Sequence, residues 1–269
     1  MDKTTVDELL GRLRRAADEE LLSRFNRVGA RIKADGSMVT EADLATQGRV
    51  QRELAGLFPE YGFLGEEMDV SQRESEMDRC GAGLWVLDPL DGTSNFVSGI
   101  PYFAISLALV VDRRVRLAVV YDPSRQELFH AMADRGAWLN GEPLMNGVAA
   151  PSSLRQAIAL VDFKRLPATL ARRLAETAPY GSQRSFGSVA LDFCWIAAGR
   201  GHLYLHGRHN LWDYAAGLTI LHEAGGQSTT LEGRRDATLD LQPRSTAAAL
   251  DKTLFSEWCV WLGINPGPG

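Results

Sequence analysis

The sequence predicts a mixed fold, α+β or layered α/β, with an N-terminal lobe over 1–147 and a C-terminal lobe over 148–269 that together make one compact unit. Three observations predict it. Two amphipathic helical patterns open the chain. Short apolar or alternating runs, divided by turn residues, fill the stretch from Tyr61 to about Phe129. After Pro151 strand-like and helix-like patterns alternate, which suits a sheet with helices packed against it. The two lobes are expected to join near 145–152.

In order along the chain, Thr5 and Glu8 stand at capping-box spacing, and Val6, Leu9, Leu10, Leu13, Ala17, Leu21, Phe25 and Val28 follow on one helical face as far as Gly29. "KADGSMVTEAD" reads as a loop that ends in Thr40 as an N-cap. A second helix follows to Phe58, where Pro59 stops it. "YGFLGEE", "GLWVLDP", "YFAISLALVV", "VRLAVVYDP" and "QELFHAM" read as strands, and Asn140-Gly141 marks a hairpin in the turn-rich "DRGAWLNGEPL". In the second lobe "AIALVDF" and "GHLYLHG" predict strands. "LPATLARRLAE", "SVALDFCWIAAGR" and "LWDYAAGLTILHEAGG" predict helices, the last closed by glycines. The tail "NPGPG" is expected to fray.

Composition narrows the function classes. A chain of 269 residues can bury a sizeable core. With a net charge of -5 it carries no general attraction for nucleic acid, so a small anionic ligand needs local donors or metal ions. Three scattered cysteines, Cys80, Cys194 and Cys259, argue against a disulfide framework or a zinc site and suit a reducing cytoplasm. "MDKTTVDELLGRLRRAADEE" lacks the apolar core of a signal peptide, and the longest apolar run, "FAISLALVV", is too short to span a bilayer. A cytoplasmic protein without a membrane partner is the expectation.

The chemistry concentrates in "WVLDPLDGTSNF". Asp88 and Asp91 crowd the end of an apolar run, where two carboxylates repel each other and lose solvation unless a cation or donor meets them. Two other segments offer carboxylates: Glu66 and Glu67 in "GFLGEE", and Asp213 in the first turn of "NLWDYAAG". Carboxylate oxygens, a backbone carbonyl and waters are the donors that hard divalent ions such as Mg²⁺ take. Asp88 can bridge two ions and Leu90 can lend its carbonyl, while Pro89-Leu90 is expected to reverse the chain and turn Asp91 the other way. Each feature alone has a plainer meaning: a first-turn aspartate caps a helix dipole, paired glutamates form a solvated face, and Asp-Gly makes a turn.

Taken together, "DPLDGTSNF", "GEE" upstream and "WDYAAGLTILHEAGG" downstream resemble the inositol monophosphatase family, the Mg²⁺-dependent, lithium-sensitive sugar-phosphate phosphatases. The resemblance runs from "VTEAD" to "EAGG" in the family's order and spacing. It implies an α-β-α-β-α sandwich, usually a homodimer, with two or three Mg²⁺ per site. Glu66, Asp88 and the Leu90 carbonyl would hold the first ion, Asp88, Asp91 and Asp213 the second, and Glu66 a looser third. Gly92 and Thr93 would present N–H groups to the phosphate. The Thr93 hydroxyl and Asp43 would orient the attacking water, and a water near Asp213 would protonate the leaving group. Gly187 and Ser188 match positions that line the sugar pocket.

One position departs from the pattern. The family's inositol enzymes place a glutamate seven residues before the "WD" aspartate, and here His206 stands there, followed by Arg208 and His209. A histidine can still bond a sugar hydroxyl but can also carry positive charge. Inositol monophosphate or a similar small monoester is the leading expectation, ahead of 3′-phosphoadenosine 5′-phosphate, fructose 1,6-bisphosphate or histidinol phosphate. On that reading His206→Glu would favour inositol monophosphate. A rival of another class is a binding or regulatory protein on the same fold that has lost turnover. It has no use for Glu66, Asp88, Asp91, Thr93 and Asp213 together, and all five are present.

Overall fold

The structure, a computed structural model, describes residues 2–33, 36–78, 81–144, 150–235, 239–265 and 267. The expected lobe junction, Cys80 and most of the "NPGPG" tail fall largely or wholly outside them. Helix α1 (Lys3–Ala17) is followed by a wider π-helical turn over Asp18–Leu22, then by strands β1 (Ala30–Ile32) and β2 (Met38–Thr40) and helix α2 (Glu41–Leu57). Strand β3 (Gly62–Gly65) and helix α3 (Val70–Asp78) lead into β4 (Leu84–Asp91) and the short α4 (Thr93–Val97). A meander follows: β5 (Ala104–Val111), β6 (Arg114–Asp122), β7 (Glu127–Met132), β8 (Gly136–Leu139) and β9 (Glu142–Pro143). The remaining chain forms β10 (Ile158–Asp162), α5 (Ala168–Thr177), β11 (Ser182–Arg184), α6 (Val189–Ala197), β12 (Leu203–His209), α7 (Leu211–Glu223), β13 (Gln227–Thr229), β14 (Arg244–Ala249) and α8 (Lys252–Leu262).

Two main sheets result. Strands β3 to β9 lie side by side in chain order, with β3 and β4 parallel and every later pair antiparallel. The second sheet runs β11-β10-β12-β14-β13, its first three strands parallel and β14 antiparallel to both neighbours. Alternation along β4 explains the layering, because a strand buried on both faces must be apolar throughout. Trp85 and Leu87 face α1 and α2, where Leu9, Leu13, Val50 and Leu54 pack. Leu84 and Val86 face the other way, with Phe193, Ile196, Tyr214 and Leu218 of α6 and α7. Those two helices also meet Tyr204 and Ala248 of the second sheet, whose far side packs on Leu174 of α5 and Phe255 and Trp258 of α8. The order is therefore α-β-α-β-α, as the family resemblance implied.

Helix α7 owes its composition to the middle layer. Leu211, Tyr214, Ala215, Ala216, Leu218, Ile220 and Leu221 are buried around its circumference, the mark of a helix enclosed by protein on every side. Gly217 lets α6 approach, since a Cβ there would lie 2.8 Å from the Ala190 carbonyl oxygen.

Several local expectations are corrected. Asp2, not Thr5, caps α1, and its carboxylate accepts the Thr5 N–H at 2.9 Å. The first helix does not reach Gly29, because Asn26 takes a left-handed backbone (φ 55°), which asparagine tolerates and helices do not continue through. The segment read as a loop before Thr40 includes β2, paired with β1, although Thr40 does cap α2. Pro89-Leu90 does not reverse the chain: β4 runs on to Asp91 through a register shift between Asp88 and Asp91. A proline fits an interior strand at such a bulge, where the ladder is already interrupted. Helix α3 gave no apolar signal because only Met77 of its nine residues is buried.

Packing between β12 and the turn after β10 leaves no room at Gly207, where a Cβ would lie 1.8 Å from the Arg165 carbonyl oxygen. Gly207→Ala is expected to cost about 2–3 kcal/mol by forcing backbone apart. Urea unfolding checks this, and an unchanged midpoint would contradict the close contact.

Candidate active site

The residues predicted for the ions and the attacking water come from the ends of β3 and β4 and the starts of α2, α4 and α7. Strand β3 delivers Glu66, whose N–H continues the ladder to the Leu87 carbonyl at 3.0 Å. Gln47 of α2 lies against Gly65: a Cβ there would come 2.2 Å from Gln47 Oε1, which accepts the Glu67 N–H at 3.0 Å, and would displace that bond. Strand β4 delivers Asp88 and Asp91. The Asp88 carboxylate takes the Leu90 N–H at 3.0 Å within the bulge. Helix α7 delivers Asp213 at its third position, where it accepts the Asn210 N–H at 2.8 Å and completes a capping box. Ser106, register partner of Asp88, donates to the Trp212 carbonyl at 3.2 Å and docks that first turn against the sheet.

Asp43 enters from α2. One of its oxygens accepts the Thr40 N–H (2.7 Å) and hydroxyl (2.6 Å), and the other lies 3.2 Å from Thr93 Oγ. Thr93 Oγ also lies 3.0 Å from the Leu90 carbonyl oxygen, so the hydroxyl chooses between two acceptors. Gly92 precedes it with φ 97°, and a Cβ at Gly92 would sit 2.9 Å from the Tyr102 carbonyl oxygen. Glycine alone satisfies both conditions.

Electrostatics show the cost of this gathering. Asp88 is 2% exposed, and burial, then Glu66, Asp91 and Asp213, push its carboxyl far above the ordinary range. Asp213 is raised by burial, Glu66 and Asp91, and eased by Arg165. Burial lifts Asp91 to about 6 against the bonds from Ser188, and lifts Asp43 to about 6 against those from Thr40. Glu67 rises to about 7 by burial, despite Lys33.

Lys33 was not anticipated. Its ammonium sits 2.8 Å from Glu66 Oε1 and 2.6 Å from Glu67 Oε1, and their pull outweighs the opposing effect of burial to keep it charged. No sequence spacing could have announced a pairing across 33 positions. Arg73 was missed with its helix. It donates to the Glu66 carbonyl at 3.1 Å and lies over the Trp212 ring at 4.7 Å, linking two of the contributing segments.

Two pocket expectations meet different surroundings. Ser188 is fully buried, its hydroxyl donating to Asp91 at 2.6 Å while Ala190 N–H reaches the same oxygen at 2.7 Å. Asp91 therefore anchors the start of α6. Gly187 is exposed beside Asn95, which bonds the Tyr102 and Phe186 carbonyls. His206 is 7% exposed and stacks on His209, with ring centroids 5.0 Å apart.

Among the described residues no three His, Cys, Asp or Glu side chains form a ready metal cage. The carboxylates of the corner bond instead to Leu90, Asn210, Ser188 and Lys33. The donor chemistry nonetheless fits Mg²⁺: every contributor is a carboxylate or carbonyl, and Asp88 Oδ2, Asp213 Oδ1 and Glu66 Oε2 accept no hydrogen bond among the described residues.

Comparison with known proteins gives a consistent answer. The model of the inositol monophosphatase family matches residues 2–259. Inositol-1-monophosphatase of Rhizobium meliloti is 37% identical over 210 residues, covering 75% of each chain. Among solved structures, Thermotoga maritima IMPase superposes with a TM-score of 0.82 at 30% identity, covering 96% of this chain and 95% of that one. An IMPase/NADP phosphatase complexed with Mg²⁺ and phosphate superposes with a TM-score of 0.83 at 25% identity, covering 98% of both chains. The layered fold, the carboxylate corner and the family match over nearly the whole length agree: the chain belongs to the inositol monophosphatase family and is a phosphoric monoester hydrolase.

Proposed function

We propose that this protein hydrolyses a small polyol phosphate, most simply inositol monophosphate, with Mg²⁺ held at the corner where β3 and β4 end and α7 begins. One observation carries the reading: Glu66, Asp88, Asp91 and Asp213 lie within each other's electrostatic reach, an all-oxygen set beside the Thr93–Asp43 hydrogen bond. Glu66, Asp88 and the Leu90 carbonyl would hold one ion, Asp88, Asp91 and Asp213 a second, and Glu66 would lean toward a third. Bound Mg²⁺ supplies an acidified water and neutralises charge on the phosphate oxygens. The chain's own residues do the rest. Thr93 Oγ, steered by Asp43 and the Leu90 carbonyl, orients the attacking water. Gly92, in its left-handed conformation, and Thr93 turn backbone N–H groups toward the phosphate. Asp213 positions the water that returns a proton to the leaving oxygen. The halves 1–147 and 148–269 act as one catalytic unit, since Asp213 and the Asp91–Ser188 bond join them at this site. Lithium inhibition, a homodimer and a cytoplasmic location are further expectations carried by the family resemblance. Among the described residues no helix is long and apolar enough to cross a membrane.

Phosphate release from a panel of monoesters tests the reading. Activity is expected with Mg²⁺, to vanish in excess chelator, and to return on adding Mg²⁺. Full turnover in chelator would refute the mechanism.

Asp88→Asn keeps the shape and removes the charge common to both ion positions. Turnover should fall on the order of a thousandfold, while thermal unfolding in chelator shifts upward because a buried repulsion is relieved. Near-normal kcat at saturating Mg²⁺ would exclude Asp88 as a ligand.

Without metal, stability should depend on pH in an unusual direction. Asp43 and Asp91 are raised from 3.8 to about 6 in the folded chain, so between those values the native state binds more protons than the unfolded one. Their contribution is favourable at low pH and is lost as pH rises through about 6. Urea midpoints in chelator should therefore correspond to about 1–3 kcal/mol more stability at pH 5 than at pH 7. Saturating Mg²⁺ at pH 7 should remove the difference, and a flat chelator profile would show that these carboxyls are not strained.

A further inference from the structure

His206 stands where the family's inositol enzymes carry a glutamate, yet both its ring nitrogens are engaged within the protein. Nδ1 accepts the Arg208 N–H at 3.2 Å, which leaves the proton of the neutral ring on Nε2, 3.2 Å from Asp162 Oδ2. The ring has no acceptor left for a substrate hydroxyl. Asp162 does. It is the last residue of β10 and the direct register partner of His206 on the parallel strand β12, so a carboxylate stands one strand to the side of His206. Its side chain is 26% exposed against 8% for His206, and each of its oxygens, one taken by His206 and one by the Lys164 N–H at 3.1 Å, keeps a lone pair.

The position suits a ligand contact. Carboxyl ends of parallel strands open onto the crevice where α/β sheets bind ligands, and β12 leads directly into the turn of α7 that carries Asp213. Arg165, three residues beyond Asp162, is near enough to Asp213 to lower its carboxyl, and its carbonyl packs on Gly207. The segment 162–165 thus overlooks the catalytic corner. Burial alone would raise Asp162, but the hydrogen bond from His206 and nearby Lys164 hold its carboxyl below the ordinary value, so it stays an acceptor.

We propose that Asp162, oriented by His206, is the specificity-determining carboxylate that accepts hydrogen bonds from the substrate's ring hydroxyls. The proposal rests on the reading of the substrate as a polyol phosphate. His206 is a positioning residue that acts through Asp162.

The test compares kcat/KM for inositol 1-phosphate with that for p-nitrophenyl phosphate, which has no ring hydroxyls, in wild type and in Asp162→Ala, Asp162→Asn, His206→Gln and His206→Glu. Losing a hydrogen bond to an ionised acceptor should lower the ratio about tenfold to a hundredfold in both Asp162 variants, mainly through KM for the inositol ester. Asp162→Asn keeps the shape and covers a folding failure of the alanine variant. His206→Gln retains an N–H donor and should hold the ratio within a few fold. His206→Glu removes the donor and sets a second negative charge beside Asp162, so it should lower the ratio, opposite to the gain expected if residue 206 touched the sugar. An unchanged ratio in the Asp162 variants, or a gain in His206→Glu, overturns the proposal while leaving the phosphatase reading intact. A wild type that hydrolyses only p-nitrophenyl phosphate refutes the polyol reading and this proposal with it. Inactivity on both esters with Mg²⁺ refutes the phosphatase reading itself.

Discussion

Repulsion among buried carboxylates is the constraint on which the rest of the structure depends. Four acidic side chains from three segments far apart in sequence are drawn to one corner. A fold that tolerates this must hold each carboxylate by its neighbours. The hydrogen bonds are distributed accordingly: a bulge amide for Asp88, a helix start for Asp91, a capping box for Asp213 and a lysine for Glu66. Each bond is ordinary in kind. Together they hold the four acidic groups at one corner.

The layers supply the rigidity that this arrangement demands. Helices α6 and α7 lie between two sheets, so each turn is packed on both sides and the N-termini of both helices are aimed at the corner. Asp91 ends a strand of the first sheet and holds the start of α6, while Ser106 of the same sheet holds the start of α7. The acidic corner is thus also the mechanical joint between the N-terminal sheet and the middle layer, and the residues proposed for chemistry are among those that define the fold.

How much of this was legible in the sequence differs by kind of information. Alternation and helical spacing located the meander from β4 to β7 and helices α2, α6 and α7, because those elements bury a regular apolar face. The carboxylates were legible because buried charge in an apolar context is anomalous. Helix α3 was not, since its stability comes from contacts such as Arg73 on Trp212 and on the Glu66 carbonyl rather than from an apolar stripe. The course of β4 past Pro89 was misread because a bulge and a reversal share the same local composition. Lys33 and the pairing of His206 with Asp162 are long-range contacts, and no local pattern encodes them. Ser188 matches a pocket position, and its bond to Asp91 is likewise a long-range contact.

The substrate-facing rim and the acidic corner are built on different mechanical terms. Corner residues are tied into both the first sheet and the middle layer, so altering one disturbs several others. Asp162 ends β10, whereas His206 lies in the middle of β12 with its ring stacked on His209, and their bond spans only neighbouring strands. A substitution at Asp162, whose side chain is partly exposed, can be absorbed without repacking a core. Within one scaffold, then, the acidic corner is hard to vary, while the carboxylate proposed to select the ester is freer to drift.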